Sequence, residues 1–196
     1  MSELFSIQLQ NQQQSRDGVW LDLPTTTEQV QAALRQIGIS SDNPQGLFIS
    51  GYFAEEEKRF AIPYNMVLAS NVDELNFLAS RLETLSTGER AELNAALQAP
   101  QSELSSIGRI TDFPENVDYY VHLPDVRGPA QLGDYYLNRS GMVDMPEEWK
   151  GGIDTAQFGR YVAQQEQGAF TQYGYLVKSG DEWQKVHEGQ PVPEEY

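Results

Sequence analysis

Carboxylates are the most numerous side chains in this sequence that could take part in chemistry. The 196 residues include 29 Asp and Glu against 13 Lys and Arg, which gives a formal net charge of -16. Neighbouring acids such as Glu55–Glu57 and Glu147–Glu148 could act as a glycosidase pair or bind a hard cation. No DxDxDG loop orders them, and with so many acids chance proximity is expected. The sequence therefore favours no active-site role for any particular pair.

Other catalytic groups are few. The sequence has no Cys and only two His, His122 and His187, which lie far apart and outside any metal-ligand spacing. It contains no phosphate-binding glycine loop and no GxSxG nucleophile motif. We therefore predict a protein that is not an enzyme and that holds no cofactor and no metal.

The N-terminal third shows the pattern of a small sheet with a helix. Residues Leu4–Leu9 and Val19–Leu23 alternate apolar and polar side chains around a polar turn, as an antiparallel hairpin does. Thr25 or Thr26 can cap a helix that ends at Gly38. Residues Gly46–Phe53 are a third strand candidate.

The middle of the chain is helical in pattern. Apolar residues from Val72 to Leu82 form one stripe, and the capping-box spacing of Ser86–Glu89 opens a helix over Arg90–Leu97. A short helix is expected around Ser102–Ile107. This stretch predicts a compact helical unit.

The last part mixes strands and helices. Its pattern predicts a strand over Val117–Leu123, helices over Ala130–Asn138 and Asp154–Gln165, and one aromatic strand over Ala169–Val177. A polar tail, Lys178–Tyr196, follows. The predicted fold class is α+β, with three small abutting domains at residues 1–63, 64–108 and 109–196.

Negative charge is distributed over all three predicted domains. This composition argues against binding of nucleic acid and of anionic membranes, both of which repel carboxylates. No stretch approaches the about 20 apolar residues of a membrane span, and the N-terminus does not resemble a secretory signal, so a cytoplasmic location is predicted. The acids that spread this charge along the chain, termed the acidic set, are Asp42, Glu55, Glu56, Glu57, Asp73, Glu74, Glu83, Glu89, Glu92, Glu103, Asp112, Glu115, Asp118, Asp125, Asp134, Asp144, Glu147, Glu148 and Asp154.

Aromatic residues supply the candidates for an interface. For the tryptophans Trp20, Trp149 and Trp183 a core position is favoured over a binding surface. Tyr135 and Tyr136 differ, because adjacent helical residues point about 100° apart. One ring can fill the core while its neighbour faces a partner, and these tyrosines are therefore the best interface candidates.

Several segments together resemble the ArdA family of antirestriction proteins. They are WLDLP at 20–24, ELNFLASRLETLSTGERAELNAALQA at 74–99, GDYYLNRSGMVDMPEEW at 133–149 and DTAQFGRYVAQQEQGAFTQYGYLV at 154–177. The resemblance implies an elongated three-domain protein that forms a homodimer through its C-terminal domain. It implies further that the protein mimics B-form DNA and blocks Type I restriction-modification enzymes at their specificity and methyltransferase subunits, protecting incoming mobile DNA.

The resemblance also assigns residues. The family's C-terminal motif would cover about Leu123–Gly141, so the expected dimer interface involves Tyr135, Tyr136, Leu137 and Met142. The acidic set would supply the carboxylates that replace DNA phosphates. The polar tail departs from the shorter members of the family.

Other interpretations remain open on the residues alone. The chain could be an acidic soluble protein with a different basic protein partner, or a halophile-type or otherwise acidic housekeeping protein with no DNA-related partner. It could also be a hydrolase that uses a carboxylate-bound metal, in which case turnover would depend on the metal.

Overall fold

The computed structural model describes residues 4–13, 17–40, 45–56, 59–100 and 102–193. It confirms an α+β fold of helices and two small antiparallel sheets. The strands are β1 Phe5–Asn11, β2 Val19–Leu23, β3 Leu47–Phe53, β4 Tyr120–Leu123, β5 Ala169–Thr171 and β6 Gly174–Lys178. The helices are α1 Thr27–Gln36, α2 Tyr64–Leu68, α3 Val72–Glu83, α4 Thr87–Gln98, α5 Ile107–Thr111, α6 Pro129–Asp134, α7 Glu147–Lys150 and α8 Thr155–Glu166.

The chain divides into two compact units. Unit 1 comprises Met1–Ser86, Leu104–Glu115 and Lys185–Tyr196, and unit 2 comprises Thr87–Glu103 and Asn116–Gln184. The stretch predicted as a helical middle domain contributes residues to each unit. The three domains expected from the sequence remain a prediction.

Unit 1 contains the hairpin and the third strand that the sequence predicts. The strand order is β2-β1-β3, and both pairings are antiparallel. Alternation decides which face is buried, since successive strand residues point to opposite faces. Ile7 and Leu9 are fully buried on one face, whereas Trp20 and Asp22 are exposed on the other.

Side-chain hydrogen bonds set the ends of the unit 1 helices. Thr26 caps α1 in a reciprocal capping box with Gln29, and Gly38 follows the helix with a φ of 72°. Asn71 caps α3. The buried Asn76 of α3 accepts the backbone N–H of Thr25 at 2.7 Å and donates to its carbonyl at 3.0 Å. These bonds hold α3 against the loop that follows β2.

Unit 2 is built around a second sheet with strand order β4-β6-β5. The single strand predicted over Ala169–Val177 is wrong, because the segment folds as a β5–β6 hairpin. The Thr171 hydroxyl accepts the N–H of Tyr173 at 3.1 Å and donates to the carbonyl of Gly174 at 2.8 Å. Gly174 has a φ of 129°, a conformation that favours glycine, and this local turn interrupts the strand pattern.

Helices α6 and α8 of unit 2 cross in close contact through two glycines. A Cβ at Gly133 would collide with the carbonyl of Thr155, and one at Gly159 would collide with the carbonyl of Pro129. Beside this crossing lies a core of Val126, Leu132, Ala163 and Tyr175. The two glycines therefore permit backbone contact that any larger residue would prevent.

Several predicted elements differ in their bounds; α4, for example, begins at Thr87 rather than at Arg90. The helix expected over Ala130–Asn138 is α6 up to Asp134 and then a π-helical turn over Tyr135–Arg139. The strand expected over Val117–Leu123 begins at Tyr120, because Val117–Tyr119 forms a 3-10 turn. The short helix expected at Ser102–Ile107 lies instead at Ile107–Thr111, since the Ser106 side chain accepts the N–H of Arg109 and caps it there.

The described part of the polar tail, residues 178–193, is held to both units by hydrogen bonds. In unit 2, Asn116 donates to the carbonyl of Gln184 at 2.9 Å and accepts its N–H at 2.7 Å. In unit 1, Asp112 accepts the N–H groups of His187 at 2.6 Å and Glu188 at 3.2 Å. The described part of the tail is thus an ordered portion of the fold.

Candidate functional site

Most described members of the acidic set face solvent. Asp42 and Glu57 lie outside the described residues. The exposed members occur in both units and are Glu55, Glu56, Asp73, Glu115, Asp118, Asp125, Asp144, Glu147, Glu148 and Asp154. Partly exposed members are Glu74, Glu83, Glu89, Glu92, Glu103 and Asp134.

Ion pairs reduce the charge of some of these acids. A carboxylate that already contacts a Lys or Arg presents less negative potential to an outside partner. Such pairs are Glu147 with Lys150 at 2.6 Å, Glu103 with Lys178 at 2.5 Å, Asp134 with Arg139 at 2.7 Å, and Glu115 with Arg81. These carboxylates are therefore weaker candidates for a recognition surface than exposed acids without such a pair.

Asp125, Asp144 and Glu148 carry their charge without compensation. All three are exposed in unit 2, and no Lys or Arg in the described ranges forms an ion pair with any of them. Trp149, next to Glu148, is 68% exposed, so the core position expected for this tryptophan is wrong. We term Asp125, Asp144 and Glu148 the unpaired acids.

Glu92 is a partly exposed member of the acidic set whose pKa is raised. Burial, followed by repulsion from Glu89 and Asp118, raises the pKa of Glu92 to about 8. Glu92 is therefore largely uncharged at neutral pH. It adds a carboxyl group to the composition but little negative charge to the surface.

Asp112 is not part of an outer surface. Its exposed fraction is 0%, and its two carboxylate oxygens accept the tail N–H groups described above. A buried carboxylate satisfied in this way holds the fold together. The structure thus assigns to Asp112 a different role from the one that the sequence predicts.

The residues expected at a dimer interface fall into two groups. Leu137 is buried, and Tyr135 and Tyr136 pack against the unit 2 core with their rings 5.5 Å apart. Met142 is 74% exposed. Of these four residues Met142 offers the most surface to a second chain, and the interface itself remains a prediction.

Glu166 is a structural carboxylate that the sequence pattern does not reveal. Tyr175 donates to one of its oxygens at 2.9 Å, and Tyr136 donates to the other. Burial and the Glu166 carboxylate raise the pKa of both tyrosines. The three residues come from β6, the π-helical turn and the end of α8, so only the tertiary structure brings them together.

The histidines have structural contacts. His122 forms a hydrogen bond with the carbonyl of Tyr173 at 2.9 Å, and the ring of His187 meets Phe77 edge-on at 5.0 Å. In the part of the chain that the structure describes, no three His, Asp or Glu side chains are placed to hold a metal ion together. None of the helices described there is long and apolar enough to cross a membrane.

Comparison with known proteins agrees with the resemblance drawn from the sequence. No curated protein matches the chain. The family model described as "Antirestriction protein (ArdA)" matches residues 13–177, which include all the strands except β1, which precedes the match, and the last residue of β6, Lys178. The tail beyond Val177 lies outside this match. Because the match covers most of the sequence, the chain belongs to the ArdA family of antirestriction proteins.

Proposed function

We propose that this protein blocks Type I restriction-modification enzymes by occupying their DNA-binding groove as an acidic mimic of B-form DNA. The protein acts as a stoichiometric inhibitor in the cytoplasm, not as an enzyme, and protects incoming mobile DNA. Its partners are the specificity and methyltransferase subunits. The observation that carries this proposal is the family match, joined to exposed carboxylates in both units.

The physical basis is substitution of carboxylates for phosphates. A groove that binds duplex DNA presents Lys and Arg, and binding DNA releases the counterions around the phosphates. Exposed carboxylates without an internal cation can contact the same side chains. The unpaired acids Asp125, Asp144 and Glu148 therefore contribute more to binding than acids that already pair with Lys or Arg.

Affinity is expected to come from many modest contacts. Single exposed ion pairs contribute about 0.2–1 kcal/mol each. Salt shortens the range of such interactions, to about 10 Å at 0.1 M ionic strength. Inhibition should accordingly weaken as the salt concentration rises.

The test is a competition titration with a Type I methyltransferase core bound to labelled DNA. The wild-type chain should displace DNA at near-stoichiometric concentration, without added metal and less effectively at high salt. A triple variant, Asp125→Asn, Asp144→Asn and Glu148→Gln, should weaken displacement roughly 3- to 150-fold at low salt, the sum of three such contacts. This difference should shrink as salt is added.

Glu92→Gln is the matched control. It removes a carboxyl group but almost no charge at neutral pH, because Glu92 is largely protonated in the fold. It should inhibit like the wild type. If the triple variant displaced DNA as well as the wild type at low salt, charge mimicry by these acids would be refuted. Displacement that requires a metal or continues catalytically would favour the hydrolase interpretation.

We further propose that the protein acts as a homodimer joined through its C-terminal part, with Met142 in the interface. The exposure of Met142 supports this assignment, since a large apolar side chain in water is stabilised by burial against a second copy.

A further inference from the structure

The outer face of the unit 1 sheet carries an ordered group of side chains. Strand register places Trp20 and Gly51 on either side of Gln8, and Asp22 and Phe53 on either side of Ser6. Residues directly opposite each other in an antiparallel pair point to the same face. Since Ser6 and Gln8 are two apart on β1, both rows share one face of the sheet.

Trp20 crosses the sheet. It lies on β2, yet its Cη2 atom is 3.0 Å from the position that a Cβ of Gly51 on β3 would occupy. Because β1 lies between these strands, the indole extends over the middle strand and covers Gly51, which is buried. Trp20 itself is 49% exposed. The indole thus contacts the sheet and presents apolar surface to solvent.

A carboxylate and a second aromatic ring lie beside the indole. Asp22 is exposed and accepts the Ser6 hydroxyl at 2.8 Å, and Phe53 is 59% exposed. Trp20 and Asp22 are two residues apart on one strand, so their Cα atoms are about 6.6 Å apart. We term Trp20, Asp22 and Phe53 the aromatic–acid face.

Within the described ranges, no Lys or Arg pairs with the negative charge of this face. The sequences of β1, β2 and β3 include no Lys or Arg. Among the described residues, none forms an ion pair with Asp22. Unit 1 as a whole has more carboxylates than Lys and Arg. The surface therefore complements a cation that also has an apolar, flat surface.

The guanidinium group of arginine has these properties. It stacks on aromatic rings, is less strongly hydrated than the lysine ammonium, and pairs with carboxylates through a planar set of donors. We propose that the aromatic–acid face binds arginine side chains of a basic protein partner. The partner's identity as a restriction enzyme rests on the proposed function, whereas the selectivity for arginine rests on the sheet alone.

The experiment follows the three indole N–H resonances of the full-length protein by NMR. The Trp20 resonance is assigned by its loss in Trp20→Phe. An oligo-arginine peptide should shift the Trp20 resonance, and an oligo-lysine peptide of equal length should bind several-fold more weakly there. Trp183, whose indole nitrogen is buried, provides an internal reference that should not shift.

Variants locate the binding on the face. Trp20→Ala and Asp22→Asn should each weaken the binding of oligo-arginine roughly two- to fivefold, as expected for an exposed cation–aromatic or ion-pair contact. Tyr161→Ala removes another exposed aromatic residue, on α8 of unit 2, and should leave binding unchanged. Circular dichroism of each variant verifies that the fold is retained.

Three results would overturn the proposal. The first is that oligo-arginine does not shift the Trp20 resonance, and the second is that oligo-lysine binds at Trp20 with equal affinity. The third is a Trp20 shift that depends on protein concentration in the absence of peptide, which would identify a second copy of the chain as the occupant. The DNA competition titration separates this proposal from the proposed function. If the Trp20 resonance shifts selectively with oligo-arginine but the protein displaces no DNA, the arginine-binding proposal stands and the proposed inhibitor function is refuted. If the protein displaces DNA but the Trp20 resonance does not shift, the inhibitor function stands and the arginine-binding proposal is refuted.

Discussion

Replacing Asp112 by Ala is expected to release the C-terminal segment of unit 1 and to lower the stability of that unit. The carboxylate is fully buried and accepts the N–H groups of His187 at 2.6 Å and Glu188 at 3.2 Å. Hydrogen bonds to a charged group contribute about 1.5–3 kcal/mol each. The loss of both bonds would therefore lower the free energy of unfolding by about 3–6 kcal/mol.

The actual cost is expected near the lower end, at about 3 kcal/mol. Once the segment detaches, its N–H groups regain hydrogen bonds to water, which limits the penalty to the free energy that holds the segment in place. Arg109 also contacts Glu188 at 3.0 Å. Because this pair is partly exposed, Arg109→Gln should cost less than about 1 kcal/mol.

The assay combines urea unfolding with hydrogen exchange of individual amides. Asp112→Ala should lower the unfolding free energy of unit 1 and accelerate exchange at the amides of His187 and Glu188. Asp144→Ala, an exposed carboxylate in unit 2, is the matched control and should remain within about 0.5 kcal/mol of the wild type. Unchanged exchange at His187 and Glu188 in Asp112→Ala would refute the reasoning, since the two bonds would then not hold the segment.

Two further predictions concern pH and assembly. Glu92 has a pKa of about 8 in the folded state against an ordinary value of 4.5, so the folded chain retains a proton that the unfolded chain loses between about pH 4.5 and 8. The stability contributed by neutral Glu92 is fully present below this window. The free energy of unfolding then falls as pH rises through the window, because the unfolded chain ionises Glu92 more easily than the folded chain does. Glu92→Gln should therefore gain stability relative to wild type between about pH 5 and 8 in urea unfolding, and an equal pH dependence of the two proteins would contradict the assigned pKa. Met142→Glu should weaken a homodimer at least about 150-fold in sedimentation equilibrium, since two copies of a Met side chain would lose burial worth about 1.5–3 kcal/mol each. Val186→Glu, at another exposed apolar residue, is its control, and an unchanged mass distribution in Met142→Glu would exclude Met142 from the interface.

Local patterns in the sequence were sufficient for most elements of the fold. The β1–β2 hairpin, the cap of α1 at Thr26 and the start of α8 after Asp154 depend on residues close together in the chain. Periodicity and capping act over a few residues, so such elements can be predicted without tertiary contacts. The sequence pattern does not reveal the β5–β6 turn, because aromatic residues lie on both sides of it and together predict one continuous strand.

The sequence by itself also determines the net charge and the family. Net charge is a sum over residues, and the family match depends only on the order of the residues. Tertiary structure decided which carboxylates are available. Burial and neighbouring carboxylates raise the pKa of Glu92, and two tail N–H groups donate to Asp112. Lys and Arg side chains pair with other acids, whereas Asp125 and Asp144 form no ion pair with a described residue. The same applies to Trp20, which was expected in the core but lies across an open sheet over Gly51. Solvation and pairing depend on neighbours that are distant in the chain, and for that reason the function of an individual acid follows from the folded structure rather than from composition.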